Sequence, residues 1–143
     1  MITEFPNGAY LIDIPPAFRK SATGEPFEHC IVCASSLPDN DEPYIIEKSF
    51  FRPDTHAKTN LVYEYSICPS CFEQNLGKLS SESKQVRESY WDSHYVEDKR
   101  YNLLKKQGEV NYLDWLSQCC LLGTPRSELV AYTIFGLFKA DQL

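Results

Sequence analysis

Two Cys-x-x-Cys pairs, Cys30-Ile31-Val32-Cys33 and Cys68-Pro69-Ser70-Cys71, account for four of the six cysteines in this 143-residue chain. A two-residue spacer lets both sulfurs of a pair converge on one ion, and two pairs complete a tetrahedron. Four thiolates so arranged suit Zn²⁺ above other available metals and leave no position open for water or substrate. The spacing therefore predicts one structural Zn²⁺ bound by Cys30, Cys33, Cys68 and Cys71. Three other uses compete. The residues can be ordinary buried thiols. A rubredoxin-like iron site uses the same donors. A thioredoxin-type redox pair needs one Cys-x-x-Cys at a helix start, which leaves the first pair without a role.

The remaining reactive residues form no comparable constellation. Cys119 and Cys120 are adjacent, and on a helix their side chains diverge by about 100°, so they read as core thiols. His29 precedes the first ligand and reads as second to the cysteines or solvent-exposed. His56 falls in a polar loop. His94, with Asp98 four residues on and Tyr101 beyond, is the one grouping that an unrecognised enzyme site would use. The cluster Asp39-Asn40-Asp41-Glu42 lacks the glycine and twelve-residue periodicity of a calcium loop and reads as a solvated loop.

The elements around the cysteines follow from local patterning. Residues 1–29 carry Pro6, Pro15, Pro16 and Pro26 with Gly8 and Gly24, which excludes a long helix. A short strand over 9–14 is expected there, in an extended arm packed along the body. Tyr44–Phe51 is rich in β-branched and aromatic residues and predicts a strand. In the next segment Leu61, Tyr63, Tyr65 and Ile67 alternate with Val62, Glu64 and Ser66, the period of a half-buried strand. That strand runs straight into Cys68. Pro69 suits a first helical position, and Phe72, Leu76 and Leu79 then share a helical face. Ser80 or Ser81 caps a second expected helix through Val86, Tyr90, Trp91, Tyr95, Leu103 and Leu104, ending near Gly108. Asn111 caps a third, with Tyr112, Trp115, Leu116, Cys119 and Leu122 on its apolar side. After Gly123-Thr124-Pro125, the residues Val130, Ile134, Leu137 and Phe138 predict a last helix.

The order of loop pair, hairpin, and second pair on a first helical turn resembles the treble-clef zinc fold. The resemblance covers residues 28–80 and is architectural. A helix start suits thiolates, because its unpaired N–H groups donate to sulfur and its dipole favours the deprotonated form. Two departures stand out. Ala34 and Phe72 occupy the positions where such knuckles often carry a glycine for φ > 0. The 34 residues between the pairs also exceed the spacing of many compact fingers. The expected fold is α+β, a treble-clef-like zinc knuckle and β-hairpin followed by a mostly helical C-terminal half. Its parts are an extended N-terminal arm (1–29), a four-cysteine zinc-binding module (30–80) and a helical region packed on it (81–143). The aromatic residues of 44–115 are expected to supply the core.

Composition narrows the partner class. The chain is 43% apolar, 13% aromatic and 24% charged, a globular profile, and its formal charge is −6. Between the two cysteine pairs six carboxylates face only Lys48, Arg52 and Lys58. Such a balance opposes a phosphate backbone. Lys99-Arg100 and Lys105-Lys106 lie near Glu97 and Asp98 and read as solvated helix charges. Met1 to Gly8 has neither the basic nor the apolar region of a secretory signal, and no apolar run approaches a membrane span. A cytoplasmic zinc protein that binds another protein is the leading expectation. A nucleic-acid-binding treble clef is the alternative, and an enzyme the weaker one.

Overall fold

In the computed structural model, residues 14–37, 42–54, 56–94, 113 and 116–138 are described, with 91–94 known by their backbone alone. Three antiparallel strands form one sheet in the order β2-β1-β3: β1 is Tyr44–Phe51, β2 Asn60–Ile67 and β3 Ala131–Phe138. The first two are the hairpin strands anticipated from sequence. Central β1 turns Tyr44, Ile46 and Lys48 into the core, alternating with Ile45, Glu47 and Ser49 on the outer face. Ile134 and Phe138 of β3 complete the inner apolar surface.

The third strand corrects the expected fold class. A mostly helical C-terminal half is not formed, because 131–138 is a strand rather than a helix. Ile134 and Phe138 share a face in a helix and in a strand alike, since four residues are one helical turn and two strand repeats. Leu137 separates the two readings: it would join them on a helix, and here it points away, 45% exposed. Tyr132, Thr133, Ile134 and Phe135 are residue types that fit a pleated surface, and β1 offers a full-length edge to pair with. Of the anticipated third helix, Leu113 is helical, but 116–122 form turns instead of continuing it. Tyr112, Trp115 and the stretch 95–112 with Leu103, Leu104 and Gly108 lie outside the described residues.

Helices α1 (Pro69–Gly77) and α2 (Ser81–His94) follow β2. Helix α1 has proline in its first turn as anticipated. At the start of α2 the Ser80 hydroxyl accepts the Ser83 N–H at 3.1 Å, so Ser80 is its cap. Every described side chain of α2 is exposed.

The arm contributes more to the core than its punctuation suggests. Ile14, Phe18 and Phe27 are buried with Leu37 against the inner face of the sheet. Phe18, on the 3₁₀ turn Pro16–Phe18, meets Phe138 with ring centroids 4.9 Å apart. Gly136 permits that contact: a Cβ there would stand 2.5 Å from Phe138 Cε2 and 3.3 Å from Phe18 Cε1. Residues 9–13 of the expected arm strand lie outside the described residues. A buried polar clamp fastens the arm. Lys48, only 3% exposed, donates to the Arg19 carbonyl, to Ser21 Oγ at 3.1 Å and to Glu64 Oε2 at 3.1 Å. Glu64 in turn accepts the Ser21 N–H at 3.0 Å and its hydroxyl at 2.8 Å. Pairing makes the burial of this ammonium tolerable.

Among the described residues, one six-residue turn occurs three times. In Lys20–Glu25, Cys30–Ser35 and Cys119–Thr124 the first N–H donates to the sixth carbonyl, at 2.9, 3.0 and 2.8 Å. The fifth N–H donates back to the first carbonyl, and the fifth residue has positive φ: Gly24 at 74°, Ala34 at 60° and Gly123 at 71°.

Candidate metal centre

The second of these turns carries the first cysteine pair. Its geometry places positions one and four on the same side, which is why Cys30 and Cys33 converge. Ala34 is the one non-glycine residue with positive φ among the described residues. The backbone turn that a glycine usually makes is thus present, with the αL penalty borne by alanine. The turn is fixed to the sheet by β2. The Ile31 N–H donates to the Ser66 carbonyl at 2.9 Å, and the buried Ser66 hydroxyl donates to the His29 carbonyl at 2.8 Å.

The second pair is placed by the β2–α1 junction. Cys68 is the N-cap residue of α1, extended at φ −73° and ψ 157°, and its side chain makes no capping hydrogen bond. Cys71 then sits one turn along on the same side. The sheet register that ends at Ile45↔Ile67 brings this junction beside the first turn.

All four Sγ atoms lie within 4.8 Å of one another, so these cysteines can hold a metal ion. The separation Cys33 Sγ to Cys68 Sγ is 3.9 Å. A tetrahedron with metal–sulfur distances of about 2.3 Å has edges of about 3.8 Å, so the donor set fits a four-thiolate site. Cys30, Cys68 and Cys71 are buried and Cys33 is exposed, with Ser35 Oγ 3.1 Å from its sulfur.

The electrostatics show what the cluster needs. Burial pushes the Cys30 thiol up, but backbone N–H groups of Cys33, Cys68 and Val32 outweigh it and bring the thiol down to about 6. The Ser35 hydroxyl and N–H likewise hold Cys33 below the usual thiol range. Cys71 is pushed up to about 12 by its hydrogen bond to Cys68, by burial and by the sulfurs of Cys33 and Cys30. Four sulfurs this close cannot all be anionic without a cation, and a bound metal would displace the remaining protons.

Among the described residues, the other candidates from sequence are not brought together. His29 is exposed beside the centre and contributes its carbonyl, not its ring. His56 is exposed in the 52–59 loop, where its N–H donates to Asp54 Oδ1 at 2.7 Å. Cys119 and Cys120 are half-buried thiols in a turn, outside the four-sulfur cluster. The side chain of His94, together with Asp98 and Tyr101, lies outside the described residues, as do Asp39, Asn40 and Asp41 of the acidic loop. Ser35 and Ser66, which support the site, are not distinguished by sequence; short hydroxyl residues carry no spacing signal of their own. No described helix is long and apolar enough to cross a membrane. No protein-family model matches this chain, and comparison with curated proteins and with solved structures finds no match.

Proposed function

We propose that Cys30, Cys33, Cys68 and Cys71 bind one structural Zn²⁺ in a treble-clef-like arrangement, and that the protein is an interaction module working in the reducing cytoplasm. The observation that carries the metal reading is the convergence of four sulfurs from a backbone turn and a helix start. Zn²⁺ suits four thiolates in a closed tetrahedron, and such a site supplies folding free energy rather than catalysis. The chain's own part is to fix two sulfurs on the Cys30–Ser35 turn, two on α1, and to bury three of the four. The protein-binding role is supported by the −6 formal charge and by an apolar, aromatic surface on the sheet.

Metal analysis of the purified protein should give about one equivalent of zinc, with X-ray absorption showing four sulfurs near 2.3 Å. Iron in its place, or fewer than three of these sulfurs at the ion, overturns the assignment. Capture from source cells tests the role. A protein retained by the loaded chain and lost with Cys68→Ser supports it, and nucleic acid recovered instead refutes it.

A further inference from the structure

The outer face of the sheet holds a preformed cluster that the metal centre does not use. Tyr63 and Tyr65 of β2 lie with ring centroids 5.8 Å apart and planes within 21°. Both hydroxyls donate to Glu47 of β1, Tyr63 at 3.0 Å to Oε1 and Tyr65 at 2.5 Å to Oε2. One carboxylate thus splints two rings, so their rotamer freedom is already spent before anything binds. Tyr63 is 43% exposed, and Phe51 and Phe135 on the same face are comparably open.

Charge on this face is one-sided. Register places Ile45, Glu47 and Ser49 of β1 beside Tyr63, Tyr65 and Ile67 of β2 and Thr133, Phe135 and Leu137 of β3. Glu47 is the one charged residue among them, while Lys48 faces the core and is consumed by the clamp. The face is anionic and aromatic with an apolar rim. A carboxylate accepts about four hydrogen bonds, and the tyrosines use two.

We propose that the Tyr63–Tyr65–Glu47 cluster docks an arginine side chain of a partner protein, with the partner's flanking apolar residues on Phe51 and Phe135. The guanidinium is planar, weakly hydrated and forked, so it lies over a tyrosine ring while donating to the free acceptor directions of Glu47. A lysine ammonium is compact and strongly hydrated and matches only the charge. A phosphate backbone meets repulsion from Glu47 and from the net charge of −6. This inference rests on the protein-interaction reading and specifies its surface.

Titration of the full, zinc-loaded chain with capped peptides Leu-Arg-Phe-Arg-Leu tests it, read by the ring NMR signals of Tyr63 and Tyr65. Those signals should move with millimolar affinity, and replacing both arginines by neutral citrulline should weaken binding at least about fivefold. Glu47→Gln should lose a similar factor, while Val86→Ser on α2 should lose none. Citrulline binding as tight as arginine, rings unmoved up to about 10 mM peptide, or rings moved by an oligouridine and not by the peptide each overturns the proposal. The wild-type comparison decides even where Glu47→Gln fails to fold. Zinc content is scored in the same sample. A partner captured through another surface with the rings unmoved would sink this inference and leave the module reading intact.

Discussion

Ala34→Gly should stabilise this protein, although an alanine-to-glycine change normally does the reverse. Ala34 sits at φ 60° in the turn that presents Cys30 and Cys33. An L-residue in that region carries roughly 1–2 kcal/mol of strain between Cβ and the following carbonyl. Glycine removes the strain and adds about 0.4–1 kcal/mol of unfolded-state entropy. The net is a gain of about 0.5–1 kcal/mol. The same turn supplies its own controls, because Gly24 and Gly123 hold the equivalent position at φ 74° and 71°. A Cβ added at either meets nothing within 4 Å, so Gly24→Ala and Gly123→Ala measure the torsional cost without a clash. Each should lose about 0.5–1 kcal/mol, the mirror of the gain at 34. Thermal unfolding of the metal-loaded protein reads both, as midpoint shifts of about 2–5 °C for a domain of this size. Chelator competition adds a second readout, since metal-binding free energy at this site is also folding free energy. Ala34→Gly should tighten retention by about two- to fivefold and the two alanine variants should leave retention less affected. A lower midpoint for Ala34→Gly, with losses at 24 and 123 as stated, would show that alanine at 34 is unstrained and refute the argument.

Other outcomes follow from the same geometry. Cys68→Ser should cost more than Cys119→Ser: the first removes a proposed ligand, the second costs about 1–3 kcal/mol if its hydroxyl is left unpaired, and equal shifts in thermal unfolding would argue against a metal site. Burial pushes the Glu64 carboxyl up, but Ser21 and Lys48 outweigh it and hold it below its ordinary 4.5. Its contribution is therefore complete above about pH 4.5 and lost as pH falls through the depressed folded value. Glu64→Gln should flatten that acid limb and, by leaving Lys48 buried beside neutral partners, cost about 3 kcal/mol in denaturant unfolding. Gly136→Ala should cost about 1–3 kcal/mol by the same assay, because Phe138 and Phe18 are both buried and cannot yield freely. Mobility-shift titration with duplex DNA at about 150 mM salt should show no sub-micromolar complex, and one that weakens steeply with added salt would reverse the reading of the charge.

Legibility of the sequence depends on whether a pattern has one structural meaning. The Cys-x-x-Cys spacers admit few geometries, and the four sulfurs they single out do converge. The hairpin strands and the proline-led helix are legible as elements, but the alternation in β2 misstates its facing: Glu64 and Ser66 turn to the core, and Tyr63 turns out. The C-terminal strand is not legible even as an element. Ile134 and Phe138 fit both periods, and the Gly123-Thr124-Pro125 punctuation that suggests a helix start instead closes a turn and leads into the 3₁₀ turn Arg126–Glu128 before β3. The arm hides its role for another reason. Proline content excludes a long helix but says nothing about burial, and Phe18 enters the core from a 3₁₀ turn and Phe27 from irregular backbone. By residue type Ala34 departs from a knuckle, whereas the backbone keeps the knuckle conformation and tolerates the wrong residue for it.

Strand β2 shows how a sequence with apolar residues on both sides still specifies one register. Beyond the register shift at Ser49 and Phe50, its outer residues Tyr63 and Tyr65 are more apolar than the Glu64 and Ser66 turned inward, so burial alone would not resist a one-residue slip. The inward positions are instead polar and individually matched. Glu64 stands opposite Lys48, and Ser66 reaches the His29 carbonyl. A slip would turn Glu64 outward and leave a buried ammonium without its partner, the costly half of a broken pair. It would also carry Cys68 along the strand by about 3.4 Å, far beyond what a metal–sulfur bond tolerates. The polar clamp and the four-cysteine centre therefore check the same register from two points on one strand, and each is in place only when the other is.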